Sequence, residues 1–275
     1  MYYIILFKFM KKTSSNDYYN QLLPIFNPIT GQFLFNQKRH LAHSNGHWHK
    51  GVQANIIRKS NKGFDILVQT RSNAVDIGKD KYDQSLATQM LNIDNFSEIN
   101  TLRRGLLEEL SIKEYEKIEK LNTTIFINKT YSEDEQKSNQ EILSLYIVLV
   151  NTHTIRPGST KVNSLRWINW DDFLAFFNKN KKSFTKTSQF YFSTDEILKK
   201  IEYLSIKLIN LDENLPKDNK DLSKYVYLHI NHKSKKPITY KTKVEKILSF
   251  FERNREAYDN NKLDFNYYLS VFKKL

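Results

Sequence analysis

The densest group of chemistry-bearing residues in the chain lies in RGLLEELSI (104–112), where the adjacent carboxylates Glu108 and Glu109 follow Arg104. Clustered carboxylates suit a hard cation. Mg²⁺ takes one or two of them from a protein and completes its shell with waters and substrate phosphates. A cation held this way screens phosphate charge and polarises an attacking water. Arg104 stands four residues before Glu108, so the two can pair across one helical turn. Taken alone, the same residues also describe an exposed, salt-bridged helix.

The surrounding pattern predicts the elements that must carry them. Ile99, Leu102, Leu106 and Leu110 recur at spacings of three and four and line one helical face over Glu98 to Leu110. Ser97 suits the N-cap, and Glu98 suits the positive end of the helix dipole. Upstream, VQANII and FDILVQ flank the polar turn Ser60-Asn61-Lys62-Gly63, which predicts a hairpin. Residues 72–84, with Gly78, read as a loop. Downstream, NTTIFIN (122–128) and EILSLYIVLV (141–150) read as strands joined by the polar loop SEDEQKSNQ. LRWINW (165–170) reads as a short strand, and a helix follows with Asp171 or Asp172 near its cap. Trp167 and Trp170 read as core or edge aromatics.

The flanks turn the carboxylate helix into a resemblance. RGLLEELSI is similar to the second half of the Nudix box, G-x5-E-x7-R-E-U-x-E-E-x-G-U, matched at Arg104, Leu106, Glu108, Glu109 and Ile112. Arg39, His43, Gly46 and His49 resemble the R-x3-H-x2-G-x2-H segment of Nudix proteins like isopentenyl-diphosphate isomerase. ILVQTRS (66–72) is similar to their LLQxRS strand, and Asp83 with Ser85 to the WDxSxAGH strand before the box. Glu141 heads a segment similar to ExEVxxVF. Leu165-Arg166-Trp167 with Asp171-Asp172 resembles LRWVSxEEL, and Phe184-Thr185 the FTP segment before the last helix. These matches run in order from about residue 31 to 200. They imply an α+β fold, the α/β/α sandwich of the Nudix family with a mixed sheet between helices.

The resemblance also implies a site. Glu108 and Glu109 would anchor Mg²⁺ or Mn²⁺, and Glu141 would bind metal or act as base. Arg104 would belong to the catalytic group, while Arg39, His43 and Arg71 would face the substrate diphosphate, since a guanidinium matches phosphate bidentately. His49 reads as a structural histidine. The pattern breaks in places: Gly105 replaces a box glutamate, Ser111 the closing glycine, and Thr88-Gln89 the Gly-His pair before the box. Strict spacing puts Met90 and Phe96 at the box Gly and first Glu. A two-residue insertion puts Thr88 and Asp94 there and is preferred, because Asp94 then supplies an oxygen ligand.

Bulk properties bound the rest. The chain has 275 residues, 40% hydrophobic, and a formal charge of +13, which favours anionic partners. It has no cysteine, which excludes disulfides, Cys-ligated zinc and thiol chemistry. The isomerase of the resembled branch is known for an active-site cysteine, so isomerisation is not expected. MYYIILFKF (1–9) is too short for a membrane helix and lacks the features of a signal peptide. It reads as an edge strand, with Met10 an alternative start, and the cytoplasm is the default location. Three parts are expected: a lead-in over 1–25, the Nudix domain over 26–205, and a mainly helical extension over 206–275 that packs on the domain or on a second copy.

Two functions remain open on the sequence. One is a metal-dependent hydrolase cleaving a diphosphate linkage in a nucleoside-diphosphate derivative or an isoprenoid-type diphosphate. The other is a module that binds such a small molecule without turnover. Replacing Gly105 by Glu would separate them. The Lys233, Lys235 and Lys236 cluster near Tyr225 and Tyr227 reads as a solvated loop, so nucleic acid is not expected as a partner.

Overall fold

The computed structural model describes residues 20–28, 30–75, 78–130, 138–151, 155–210, 225–231 and 238–239; for 122–130, 138, 210 and the last two segments only the backbone is described. The lead-in before residue 20 and the 233–236 lysine cluster lie outside these residues. So does most of the extension, with its expected helices.

The centre is strand β3 (Trp48–Ser60), buried along most of its length and covered on both faces. On one edge β3 pairs parallel with β8 (Ser138–Leu149), from Trp48↔Gln140 to Ile57↔Leu149. On the other edge it pairs antiparallel with β4 (Gly63–Arg71) and β6 (Leu86–Gln89), and at Ile25↔His49 with β1 (Leu22–Phe26). The hairpin expected at residues 60–63 is present, with Ser60 opposite Gly63. β4 carries β9 (Val162–Asn169) along its far edge, and past the end of β3 its near edge pairs with β5 (Tyr82–Asp83). β1 pairs with β2 (Phe33–Lys38), which leads into the short helix α1 (Arg39–Ser44), and β8 pairs antiparallel with β7 (Lys117–Thr130). Beyond β7 lie β10 (Tyr225–Asn231), parallel to it, and β11 (Ile238–Thr239). Within the extension, residues 225–231 and 238–239 thus join the sheet as strands, while 206–210 end a helix that starts at Asp195.

Alternation along β3 and β8 feeds two cores. Val52, Ala54, Ile56, Tyr146 and Val148 face helix α2 (Glu98–Leu110) and meet Leu102, Leu106 and Leu110. Ile57, Leu143, Leu145 and Ile147 face the opposite layer of α3 (Trp170–Asn180), α4 (Lys186–Tyr191) and α5 (Asp195–Asn210). The result is the expected α+β sandwich, a mixed sheet between helices. α2 begins and ends where the heptad-like spacing places it, and the Ser97 side chain accepts from the Asn100 N–H. At α3 the structure differs: the cap is Asn169, accepting from the Asp171 N–H, and Trp170 is helical rather than the end of a strand. The Trp170 indole reaches Glu202 on α5 at 3.1 Å, an enthalpic reason to turn it out of the strand. Among the described residues no helix is long and apolar enough to cross a membrane.

Candidate functional site

Arg104 organises the site from inside α2. It is 8% exposed, and its planar fork is fully engaged. Nε donates to Asp94 Oδ1 at 2.8 Å and Nη2 to Asp94 Oδ2 at 3.0 Å. Nη2 also donates to the Gln89 carbonyl at 2.7 Å, and Nη1 to Glu108 Oε2 at 3.0 Å. Burial alone would lower the Arg104 pKa; the hydrogen bonds and charge of Asp94 reverse that and raise it. Asp94 is equally committed, because Oδ2 also accepts from the Leu91 N–H at 2.8 Å and from the Thr101 hydroxyl at 3.0 Å. A buried carboxylate with four donors ties the loop before α2 to the helix. Asp94, expected to offer an oxygen to a metal, and Arg104, expected in the catalytic group, are here each other's partners.

Gln89, at the end of β6, joins this group to a second. Its carbonyl holds Arg104, while its side-chain amide lies 3.1 Å from Glu141 Oε1, 3.0 Å from His49 Nε2 and 3.3 Å from His43 Nε2. Arg39 Nη1 donates to the Gln89 side-chain carbonyl. His49 Nδ1 sits 3.0 Å from the His47 carbonyl, which can only accept, so Nδ1 carries the proton and Nε2 receives from Gln89. The rings of His43 and His49 stack with centroids 5.2 Å apart. His49 has no exposed surface, in keeping with a structural histidine. Register explains the meeting, since His49 and Glu141 are directly opposed on β3 and β8, and Gln89 is opposed to Gly51 on the same face.

The two glutamates of α2 have different surroundings. The Glu108 side chain is 48% exposed and Arg104 anchors one oxygen. Glu109 is 3% exposed and accepts from Lys161 Nζ at 3.2 Å. Lys161 reaches it because its loop lies against the end of α2. The Gly158 N–H donates to the Glu109 carbonyl at 2.9 Å, and a Cβ on Gly158 would meet the Glu108 carbonyl at 2.6 Å. Only glycine permits that approach.

Gly105 is also a packing position. A Cβ there would meet Thr88 Cγ2 at 2.6 Å, Thr88 Cβ at 3.1 Å and Leu86 Cδ2 at 3.2 Å. Thr88 stands where the resembled pattern has glycine, and Gly105 where it has glutamate. The two departures are one exchange of bulk, moved from the helix to the strand beneath it.

The structure therefore brings Arg39, His43, His49 and Glu141 together around Gln89, and links them through Arg104 to Asp94 and Glu108. Arg71 pairs with Asp83 at 3.2 Å. Among the described residues no group of three or more His, Asp or Glu is placed to hold a metal ion. Glu108 and Glu109 together supply the two carboxylates that Mg²⁺ commonly takes from protein, with substrate phosphates completing the shell. A cation arriving with a diphosphate would have to draw Glu108 away from Arg104 and Glu109 away from Lys161. In the sequence Thr88-Gln89 stands out only as a departure from the resembled Gly-His pair, and nothing marks Lys161. The substitution of Gln for His at position 89 was the signal that could have marked the hub.

No family model matches the chain, and no curated protein does. Solved structures do. DR0079 from Deinococcus radiodurans is 13% identical, with 66% of this chain and 99% of that one covered at a TM-score of 0.47. A NUDIX hydrolase from Alicyclobacillus acidocaldarius is 10% identical, covering 58% and 93% at 0.41. A MutT protein from Methanosarcina mazei Go1 is 13% identical, covering 57% and 94% at 0.40. Two of the three bear NUDIX or MutT in their names.

Proposed function

We propose that the chain is a Nudix-type domain that binds a small molecule through its diphosphate and hydrolyses that linkage with a divalent cation, Mg²⁺ or Mn²⁺. The observation that carries this reading is the buried Arg104–Asp94 pair. It fixes in one frame the helix bearing Glu108 and Glu109 and the strand end whose Gln89 touches Glu141. The arrangement also agrees with the ordered set of motifs from about residue 31 to 200. When bound, the cation would screen phosphate charge and polarise the attacking water. Glu108 and Glu109 would hold it. Arg39 and His43 lie at the same hub and would meet the diphosphate, and Glu141, held by Gln89, would accept a proton from water.

A second reading is supported by two observations. Lys161 already neutralises Glu109, and Thr88 fills the space a third carboxylate at position 105 would need. Both suit a domain that binds a diphosphate without turnover. Phosphate release from nucleoside- and isoprenoid-type diphosphates, with Mg²⁺, with Mn²⁺ and with chelator, separates the two. Metal-dependent release that Glu108→Gln and Glu109→Gln abolish supports the hydrolase. Silence across the panel, with a thermal shift still produced by one diphosphate, refutes hydrolysis and supports the binding module.

A further inference from the structure

The large apolar side chains that remain in water are gathered at one end of the sheet. Leu22 on β1, Phe33, Leu34 and Phe35 on β2, and Leu41 on α1 are each at least 37% exposed. Ile93 and Phe96, in the loop before α2, are 72% and 43% exposed. Away from this end, Leu174 is the one other exposed large hydrophobic among the described residues. Apolar surface concentrated in this way marks an interaction site on a folded domain.

The patch is held in shape by its own rings. Phe33 and Phe96 stack with centroids 4.7 Å apart, and both meet Phe26 edge-on at 6.2 and 6.0 Å. Phe96 does so from the left-handed backbone region, with φ at 57°, directly after Asn95 at 52°. Asparagine tolerates that conformation; a bulky phenylalanine there is strained. Strain kept in order to display an aromatic side chain points to a functional surface.

Charge and edge geometry select the partner. From residue 20 to 64 the sequence has no Asp or Glu, while Lys38, Arg39 and Lys50 fall inside that stretch. Lys50 Nζ lies over the Phe26 ring, 4.2 Å from its centroid. The acids beside the loop are engaged, Asp94 with Arg104 and Glu98 with Lys120. A second copy would bring like charges together across a two-fold axis. Addition of a strand to the β2 edge is also disfavoured, because Leu34 is the extra residue of a bulge, with Ile25 opposite Phe35 and Phe26 opposite Phe33. Apolar tips with a basic rim suit a bilayer with acidic headgroups, which is anionic at its face and apolar beneath.

We propose that β1, β2, α1 and the loop before α2 form a peripheral membrane-binding surface, with Phe33, Leu34, Ile93 and Phe96 entering the headgroup region of an anionic bilayer. The basic residues draw the chain to the surface, and the apolar tips hold it there. Arg39 and His43, on α1, belong to the Gln89 hub, so docking brings that hub toward the headgroups.

The test is co-sedimentation of the full chain with phosphatidylcholine vesicles, with and without phosphatidylserine, at low and physiological salt. The chain should pellet with the phosphatidylserine vesicles and far less with phosphatidylcholine alone. Ile93→Ser combined with Phe96→Asn should weaken that binding at least about tenfold, since two apolar side chains no longer leave water. Asparagine accepts the left-handed backbone, so the double variant keeps the fold, checked by circular dichroism. Lys38→Glu should weaken binding and flatten its dependence on salt. A chain that stays in solution with both kinds of vesicle overturns the proposal, and sedimentation velocity then shows whether a second copy takes the patch. Pelleting that the double variant leaves unchanged also overturns it, because the net charge of +13 would then act without this surface.

Discussion

Gly105→Ala is the smallest change that probes how the carboxylate helix meets the sheet. In an unpacked helix, alanine would be favoured over glycine by about 1 kcal/mol. Here the new methyl would stand 2.6 Å from Thr88 Cγ2 and 3.2 Å from Leu86 Cδ2. Carbon atoms rest at about 3.5–4.0 Å, so α2 or β6 must shift by close to an ångström. Overpacking of that kind costs about 1–3 kcal/mol. Set against the helix preference, the net effect is a loss of up to about 2 kcal/mol, or several degrees of melting temperature for a domain of this size. Thr88→Ala removes the nearest contact. In that background Gly105→Ala should cost at least about 1 kcal/mol less, a coupling a double-mutant cycle resolves. Urea melts of the four proteins measure it. If Gly105→Ala stabilises wild type by about 1 kcal/mol, as in an exposed helix, the exchange of bulk between 88 and 105 is wrong. The same contacts make Gly105→Glu alone a poor test of activity, since it would fail on packing. The informative protein is Gly105→Glu with Thr88→Gly.

Two further outcomes follow from the ion pairs. Asp94→Ala should destabilise the domain by about 3–5 kcal/mol, because it leaves the buried Arg104 unpaired; a variant with unchanged stability but weaker Mn²⁺ binding by spectroscopic titration would return Asp94 to the metal-ligand role. For Glu98, burial alone would raise the carboxyl pKa, but Lys120 above all, with Tyr146 and Ser144, holds it below the ordinary 4.5. A carboxylate depressed on folding stabilises above its unfolded value and loses that contribution as pH falls through its folded value. The stability gap between wild type and Glu98→Gln should therefore be open at neutral pH and close below the ordinary glutamate range; a gap that widens on acidification, followed by thermal melts, would contradict the pairing.

Local chemistry was legible in the sequence. The spacing of Ile99, Leu102, Leu106 and Leu110, with Ser97 before them, defines α2 to its ends, because a helix face and a cap are set by residues within four positions of each other. The hairpin at 60–63 and the strands around Glu141 follow from the same short-range rules. The fold class followed from motif order, and the Glu108–Glu109 pair from adjacency.

What the sequence did not reveal is which of its candidate residues meet, because those contacts join segments about fifty positions apart. Gln89 gathers Arg39, His43, His49 and Glu141 only because β6 and β8 flank the same strand in a given register. Lys161 finds Glu109 only because Gly158 lets its loop close on the end of α2. Asp94 reads as a metal ligand by alignment and becomes Arg104's partner in space, since a buried guanidinium must be neutralised and Asp94 is the carboxylate within reach of its Nε and Nη2. Thr88 and Gly105 look like two independent losses along the chain. Packed strand against helix, they are one steric exchange. Residue type and spacing decide the elements and the chemistry on offer; register and close packing decide which of that chemistry can act together.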